Sequence, residues 1–143
     1  MKHLLLTISL TLLLASTCFA QVTFDIDNRN PKVNTAKVEV QTTKICQIVP
    51  KLAGLEATDL HITICIAKDK QEFRQVLPKD QKETPKAYYI RITKTLHFYK
   101  YDAYVFAHEL THALVDEYIG GKLPEKIREV IPTYIETKVR DVY

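Results

Sequence analysis

Residues 102–121 read DAYVFAHELTHALVDEYIGG, and this stretch decides the fold that we predict. Asp102 is a favourable residue at a helix start, because its carboxylate can accept hydrogen bonds from free backbone N–H groups. Gly120 and Gly121 are typical of a helix end. The apolar side chains that could pack this helix into a core are Val105, Phe106, Leu110 and Leu114. The sequence therefore predicts a packed helix over residues 103–119.

The middle of this helix carries an HExxH motif, formed by His108, Glu109 and His112. Histidines four residues apart lie on one helix face about one turn apart, so their imidazoles can converge on one tetrahedral zinc ion. Glu109 lies one residue further round, where its carboxylate can flank a metal without binding it. That position suits a base that acts on metal-activated water. The alternative is a chance motif whose histidines simply occupy a helix face.

A catalytic zinc site needs a third protein ligand and an open fourth position. The acids that follow the motif are Asp116, Glu117, Glu125 and Glu129. Asp116 would lie about 12 Å along the helix axis from the first histidine, which is too far to share its metal. Glu129 lies eight residues after the glycine pair at 120–121, and His112 lies eight residues before it. Antiparallel helices that meet at this turn would place Glu129 level with His112, although a solvated helix acid is the alternative.

The rest of the sequence predicts short strands and helices around the motif helix. Alternating apolar residues indicate strands over residues 22–26 and 60–67, and a richness in Tyr, Ile and Thr indicates two more over residues 87–92 and 95–99. Helices are indicated over residues 33–55 and 69–77, and from Pro124 to about residue 139. We therefore expect an α+β fold with a small, mostly antiparallel sheet packed on helices.

The first twenty residues are typical of a secretory signal, with a lysine near the start, an apolar run, and a small residue at Ala20. We expect cleavage after Ala20, a single domain over residues 21–143, and a secreted or periplasmic protein without stable membrane insertion. An uncleaved anchor is the alternative. The leader holds one lysine and no acid, so its removal would reduce the net charge from +3 to +2. Such a mild charge, with lysines scattered among acids, does not suggest a nucleic-acid partner.

Two cysteines, Cys46 and Cys65, remain after the expected cleavage, because Cys18 belongs to the leader. In an exported chain such a pair is a candidate disulfide, which would close a loop of about 20 residues. Two buried free thiols are the alternative. The sequence leaves both possibilities open, and it does not give the oligomeric state.

Two segments of the chain resemble thermolysin-like gluzincin metallopeptidases. HELTHALVD at residues 108–116 resembles the active-site helix of that family. LPEKIRE at residues 123–129 resembles the later segment in which a Leu-Pro start precedes a helix that bears the ligand glutamate. The resemblance covers roughly residues 60–139 and implies a minimal, single-domain zinc metallopeptidase that acts on a peptide or protein substrate.

The resemblance also implies a role for each site residue. His108, His112 and Glu129 would bind Zn²⁺, and Glu109 would be the general base of peptide-bond hydrolysis. An edge strand of the family binds extended peptide through main-chain pairing, and residues 87–92 are the candidate for that strand here.

The sequence departs from the family pattern after Glu129. Members often continue with Gly, a small residue and Ala, whereas Val130 and Ile131 precede Pro132 in this chain. Pro132 should kink the last helix, because proline removes a backbone hydrogen bond. Thermolysin-like enzymes carry an aspartate four residues after the ligand glutamate to orient a histidine, and Thr133 stands at that position.

Larger relatives stabilise the reaction's oxyanion with a downstream His or Tyr, and this chain continues for only 14 residues after Glu129. The local candidates for that donor are Tyr118, Tyr134 and Tyr143. The alternative function is a catalytically silent zinc-binding module that acts in binding or regulation. A zinc hydrolase with a non-peptide substrate, or a latent peptidase whose C-terminal tail blocks the cleft, is also compatible with the sequence.

Overall fold

The computed structural model describes residues 21–56, 58–121 and 123–143. The expected leader, residues 1–20, lies outside the described residues. The strands are β1 (Val22–Asn28), β2 (Leu60–Ile66), β3 (Ala87–Ile90) and β4 (Thr95–Phe98). The helices are α1 (Thr35–Ala53), α2 (Lys70–Gln75), α3 (Ala103–Ile119), α4 (Glu125–Arg128) and α5 (Val130–Val142). The predicted α+β class is confirmed.

The four strands form one sheet in the order β1-β2-β4-β3. β1 and β2 are parallel, β2 and β4 are parallel, and only β3 and β4 are antiparallel. The prediction of a mostly antiparallel sheet is therefore wrong, and the sheet is mixed. The physical reason is the connections: α1 links β1 to β2 and α2 follows β2, and such crossovers give parallel strands, whereas a four-residue turn makes β3 and β4 a hairpin.

The two edges of the sheet differ in character. β1 forms one edge with seven residues, and its exposed positions Thr23, Asp25 and Asp27 alternate with residues that face the helices. β3 forms the other edge with four residues, and Ala87 at its start is buried. α3 contacts β3 directly, so the β3 edge is the one that lies beside the HExxH motif.

The core lies between the sheet and the helices α1, α3 and α5. On β2, Ile62, Ile64 and Ile66 are fully buried and face this core, since alternate strand residues share one face. The α3 residues with no exposed surface are Phe106, Ala107, Leu110, Thr111, Ala113 and Leu114. This burial holds the motif helix in the middle of the molecule.

The ends of α3 are those that the sequence predicts. Asp102 Oδ1 accepts hydrogen bonds from the backbone N–H groups of Tyr104 (2.9 Å) and Val105 (3.1 Å). Gly120 ends the helix in the left-handed conformation with φ of 65°, and its N–H donates to Asp116 O over 2.8 Å. Gly121 has a φ of 69°, so the glycine pair reverses the chain as expected.

The last predicted helix is in fact two helices. α4 ends at Arg128 and α5 begins at Val130, and Glu129 lies at the junction. Pro132 falls in the first turn of α5, where a backbone N–H has no helical acceptor, so the proline is tolerated there and is buried. The expected effect of Pro132 thus takes the form of a helix break at Glu129.

Pro50 lies inside α1, which continues past it to Ala53. Cys46 and Cys65 are both buried free thiols. Cys46 belongs to the core cluster, whereas Cys65 alternates with the core-facing isoleucines of β2 and therefore lies on the other face of the sheet. A disulfide between them would have to cross the sheet, so this fold excludes the candidate disulfide.

Within the described ranges, no helix is long and apolar enough to cross a membrane.

Candidate metal centre

The side chains of His108, His112 and Glu129 meet at the junction between α4 and α5. His108 Nε2 lies 3.2 Å from Glu129 Oε2, and His112 Nε2 lies 3.2 Å from Glu129 Oε1. The two imidazole centroids are 5.0 Å apart. The structure thus brings together the three residues that the sequence singles out as metal ligands.

The helix pairing explains this convergence. His112 contacts Glu129, His108 contacts Glu136, and Tyr104 contacts Arg140, so positions descend on α3 as they ascend on α5. The two helices are therefore antiparallel, which is the arrangement inferred from the equal spacing around the glycine turn. The break before α5 leaves Glu129 at the level of both histidines.

The donor set fits a zinc ion in both chemistry and separation. Nitrogen and oxygen ligands about 2.0–2.1 Å from a tetrahedral zinc lie roughly 3.4 Å from each other. The two nitrogen–oxygen separations of 3.2 Å are close to that value. One ligand atom from each of the three residues falls within 4.8 Å of the others, and Asp116 and Glu125 do not belong to this group.

The protonation of the site also favours a cation. Burial lowers the pKa of His112, which keeps its imidazole neutral at neutral pH, the form that binds a metal. Burial, together with a smaller contribution from the nearby carboxylates of Glu129 and Glu136, raises the pKa of Glu109 to about 7. Three carboxyl groups around two imidazoles make a negative site, and a bound divalent cation would relieve that repulsion.

Glu109 and His108 face a cleft of about 240 Å³ between α3, the middle of α5 and the beginning of β3. The other residues that line it are Pro85, Lys86, Ala87, Val105 and Glu136. This volume is below the range of about 300–1,000 Å³ that is typical of small-molecule pockets. Because Ala87 begins the edge strand β3, an extended chain along that edge would pass Glu109.

Glu136 is a site residue that sequence reasoning missed. Its Oε2 lies 3.2 Å from His108 Nδ1, on the side of the ring that faces away from Glu129. Glu136 follows Glu129 by seven residues, about two helical turns, so both carboxylates can point toward the histidines of α3. That spacing was readable from the sequence. The family pattern, however, places the residue that orients a histidine four residues after the ligand glutamate, which is Thr133 here.

The remaining candidates of the sequence lie elsewhere. Thr133 is exposed, and the described hydrogen bonds do not link its hydroxyl to either histidine. Tyr118 and Tyr134 are exposed, and Tyr143 packs edge-on against Tyr104 with ring centroids 6.0 Å apart. Within the part of the chain that the structure describes, the cleft lining contains no tyrosine.

Comparison of this chain with protein-family models, with curated proteins and with solved structures finds no match. The support for a function is therefore the geometry of the site, together with the resemblance of residues 108–116 and 123–129 to gluzincin segments.

Proposed function

We propose that this protein is an exported zinc-dependent metallopeptidase that hydrolyses peptide bonds, with His108, His112 and Glu129 as metal ligands and Glu109 as general base. The observation that carries the proposal is the approach of Glu129 to both Nε2 atoms at 3.2 Å, with Glu109 facing the adjoining cleft. The chemistry that zinc supplies when bound is polarisation of the substrate carbonyl and a fall of the pKa of water toward about 7.

Glu109 supplies the proton transfers. Its carboxyl group faces the cleft beside His108 and is not a member of the ligand group. A carboxylate there can take a proton from the attacking water and return it to the leaving amine. The pKa of about 7 belongs to the site without a cation, and a nearby positive charge lowers it toward the range where Glu109 is an anion at neutral pH.

The edge strand β3 supplies the binding surface for substrate. Among the described residues β3 pairs with β4 alone, so the backbone groups of its other side can pair with an extended peptide. The strand is four residues long and begins with Ala87 in the cleft wall. A peptide or protein segment bound there would present a backbone carbonyl to the site.

The test of this function is the Glu109→Gln variant. The amide preserves the shape of the side chain and removes its basicity, so zinc binding should persist while cleavage of a quenched peptide library falls by at least about 100-fold. His112→Ala is the matched control on the same helix, and it should lose zinc and cleavage together. Cleavage at the unmodified rate by Glu109→Gln would exclude the mechanism.

A second candidate is a zinc-binding module without turnover. The observation that favours it is the cleft lining, which among the described residues offers Lys86 but no tyrosine to stabilise an oxyanion. Stoichiometric zinc with no cleavage of a broad peptide library would support this candidate. If trimming the residues after Val139 then released activity, the protein would be a latent peptidase.

A further inference from the structure

The imidazole of His108 has a carboxylate on each side of its ring. Glu129 faces Nε2, and Glu136 Oε2 lies 3.2 Å from Nδ1. Nδ1 is buried and has no hydrogen-bond partner of normal geometry, so the contact with Glu136 has the distance of a hydrogen bond but not its alignment. A buried ring nitrogen beside a carboxylate oxygen calls for a proton between them.

We propose that Glu136 is the positioning residue for His108, holding the proton on Nδ1 and leaving the Nε2 lone pair free for a metal. A metal-binding histidine usually donates its other N–H to a carboxylate or carbonyl, which fixes both its tautomer and its orientation. The inference rests on the proposed zinc centre and names the residue that takes the orienting role in place of Thr133.

Glu136 is itself held by a second contact. Arg140 Nη2 donates to Glu136 Oε1 over 2.8 Å, so each carboxylate oxygen has its own partner. The Arg140 guanidinium also lies over the Tyr104 ring, 4.2 Å from the ring centroid. Tyr104 precedes His108 by four residues on α3. The contacts among these four side chains therefore form a closed network between α3 and α5.

This contact network distinguishes Glu136 from an ordinary surface acid. The Glu136 side chain is 25% exposed and faces the cleft, whereas Glu129 is 63% exposed. An exposed i,i+4 ion pair alone adds little to stability. The pair between Glu136 and Arg140 differs because its carboxylate also touches a partly buried imidazole, which makes its orientation matter to the site.

The first measurement is zinc affinity by competition with a chromophoric chelator, for the unmodified protein and Glu136→Gln. We expect about 10–100-fold weaker zinc binding in Glu136→Gln. Asp141→Asn is the matched control, because it removes one negative charge from an exposed position of the same helix, and it should stay within about twofold. Arg140→Gln should weaken binding less, and adding it to Glu136→Gln should have no further effect, because Arg140 acts through Glu136.

The second measurement separates positioning from general support of the fold. In the cobalt-substituted protein, proton NMR should show exchangeable Nδ1–H resonances from both ligand histidines. In Glu136→Gln, one of these should broaden by solvent exchange, while the thermal unfolding of the metal-free protein stays close to that of Asp141→Asn.

The outcomes distinguish the two levels of the proposal. Unchanged zinc affinity together with both protected resonances in Glu136→Gln would overturn the role of Glu136 and leave the zinc centre intact. An unmodified protein that binds no zinc would overturn the centre itself, and the role of Glu136 with it.

Discussion

Replacing Gly121 by alanine tests how the turn between α3 and α4 is built. Gly121 has a φ of 69°, and an added Cβ would overlap the Arg91 guanidinium, with Arg91 Nη2 only 3.0 Å away. Arg91 Nη2 also donates to Gly120 O over 2.8 Å, so this side chain ties the β3–β4 hairpin to the turn. Gly121→Ala must therefore both strain the backbone and displace Arg91.

The chain contains two matched controls for this change. Gly120 and Gly54 have φ values of 65° and 67°, and an added Cβ would meet nothing within 4 Å at either. Alanine in the left-handed conformation costs about 1–2 kcal/mol at any of these positions. Gly121→Ala should lose roughly 1 kcal/mol more, because the exposed Arg91 loses its hydrogen bond.

The assay is urea denaturation followed by circular dichroism, for the three variants beside the unmodified protein. Gly121→Ala should unfold at the lowest urea concentration, while Gly120→Ala and Gly54→Ala agree with each other. Zinc affinity should also fall in Gly121→Ala and not in Gly54→Ala, since the turn sets the register between His112 and Glu129. Equal stability of all three variants would refute the reasoning about Arg91.

Two further predictions concern the N-terminus of α3 and the core. Asp102→Ala should lower the free energy of unfolding by about 1 kcal/mol, because the N–H groups of Tyr104 and Val105 lose their acceptor. Asp102→Asn should keep most of the stability of the unmodified protein, and urea denaturation measures both changes. Burial raises the pKa of Cys46 to about 12 from its ordinary value near 9, so the unfolded chain ionises first as the pH rises. The stability advantage of the unmodified protein over Cys46→Ala should therefore be full below pH 9 and shrink between pH 9 and 12, by up to about 1.4 kcal/mol per pH unit. A difference between the two proteins that stays constant to pH 11 would contradict this account.

Local signals predicted α3 and the placement of Glu129 well. Asp102 and Gly120 define the helix ends through hydrogen bonds within a few residues, and such patterns are legible in sequence. The equal spacing around the glycine pair placed Glu129 level with His112, because antiparallel helices with a short turn have a fixed register.

Features that depend on contacts between distant parts of the chain were harder to predict from the sequence. The direction of β1 and β2 depends on α1 crossing the sheet, and alternation of apolar residues is the same in parallel and antiparallel strands. Glu136 was missed although its spacing from Glu129 is legible in the sequence, because the family pattern points to the position of Thr133 instead. A kink in the last helix at Pro132 was predicted. The position of the break, three residues earlier at Glu129, was not.

The contrast between the two sheet edges bears on self-association. An open edge strand can pair with a second copy of the same chain, and charged side chains on the edge discourage that pairing. β1 exposes Asp25 and Asp27, which contact His61 and Arg29, so a strand added beside it would have to strip water from a hydrogen-bonded Asp–His pair and an ion pair. β3 has four residues and no such acidic guard among them. The long edge of the sheet is thus protected against growth, and the described residues give the short edge no such protection.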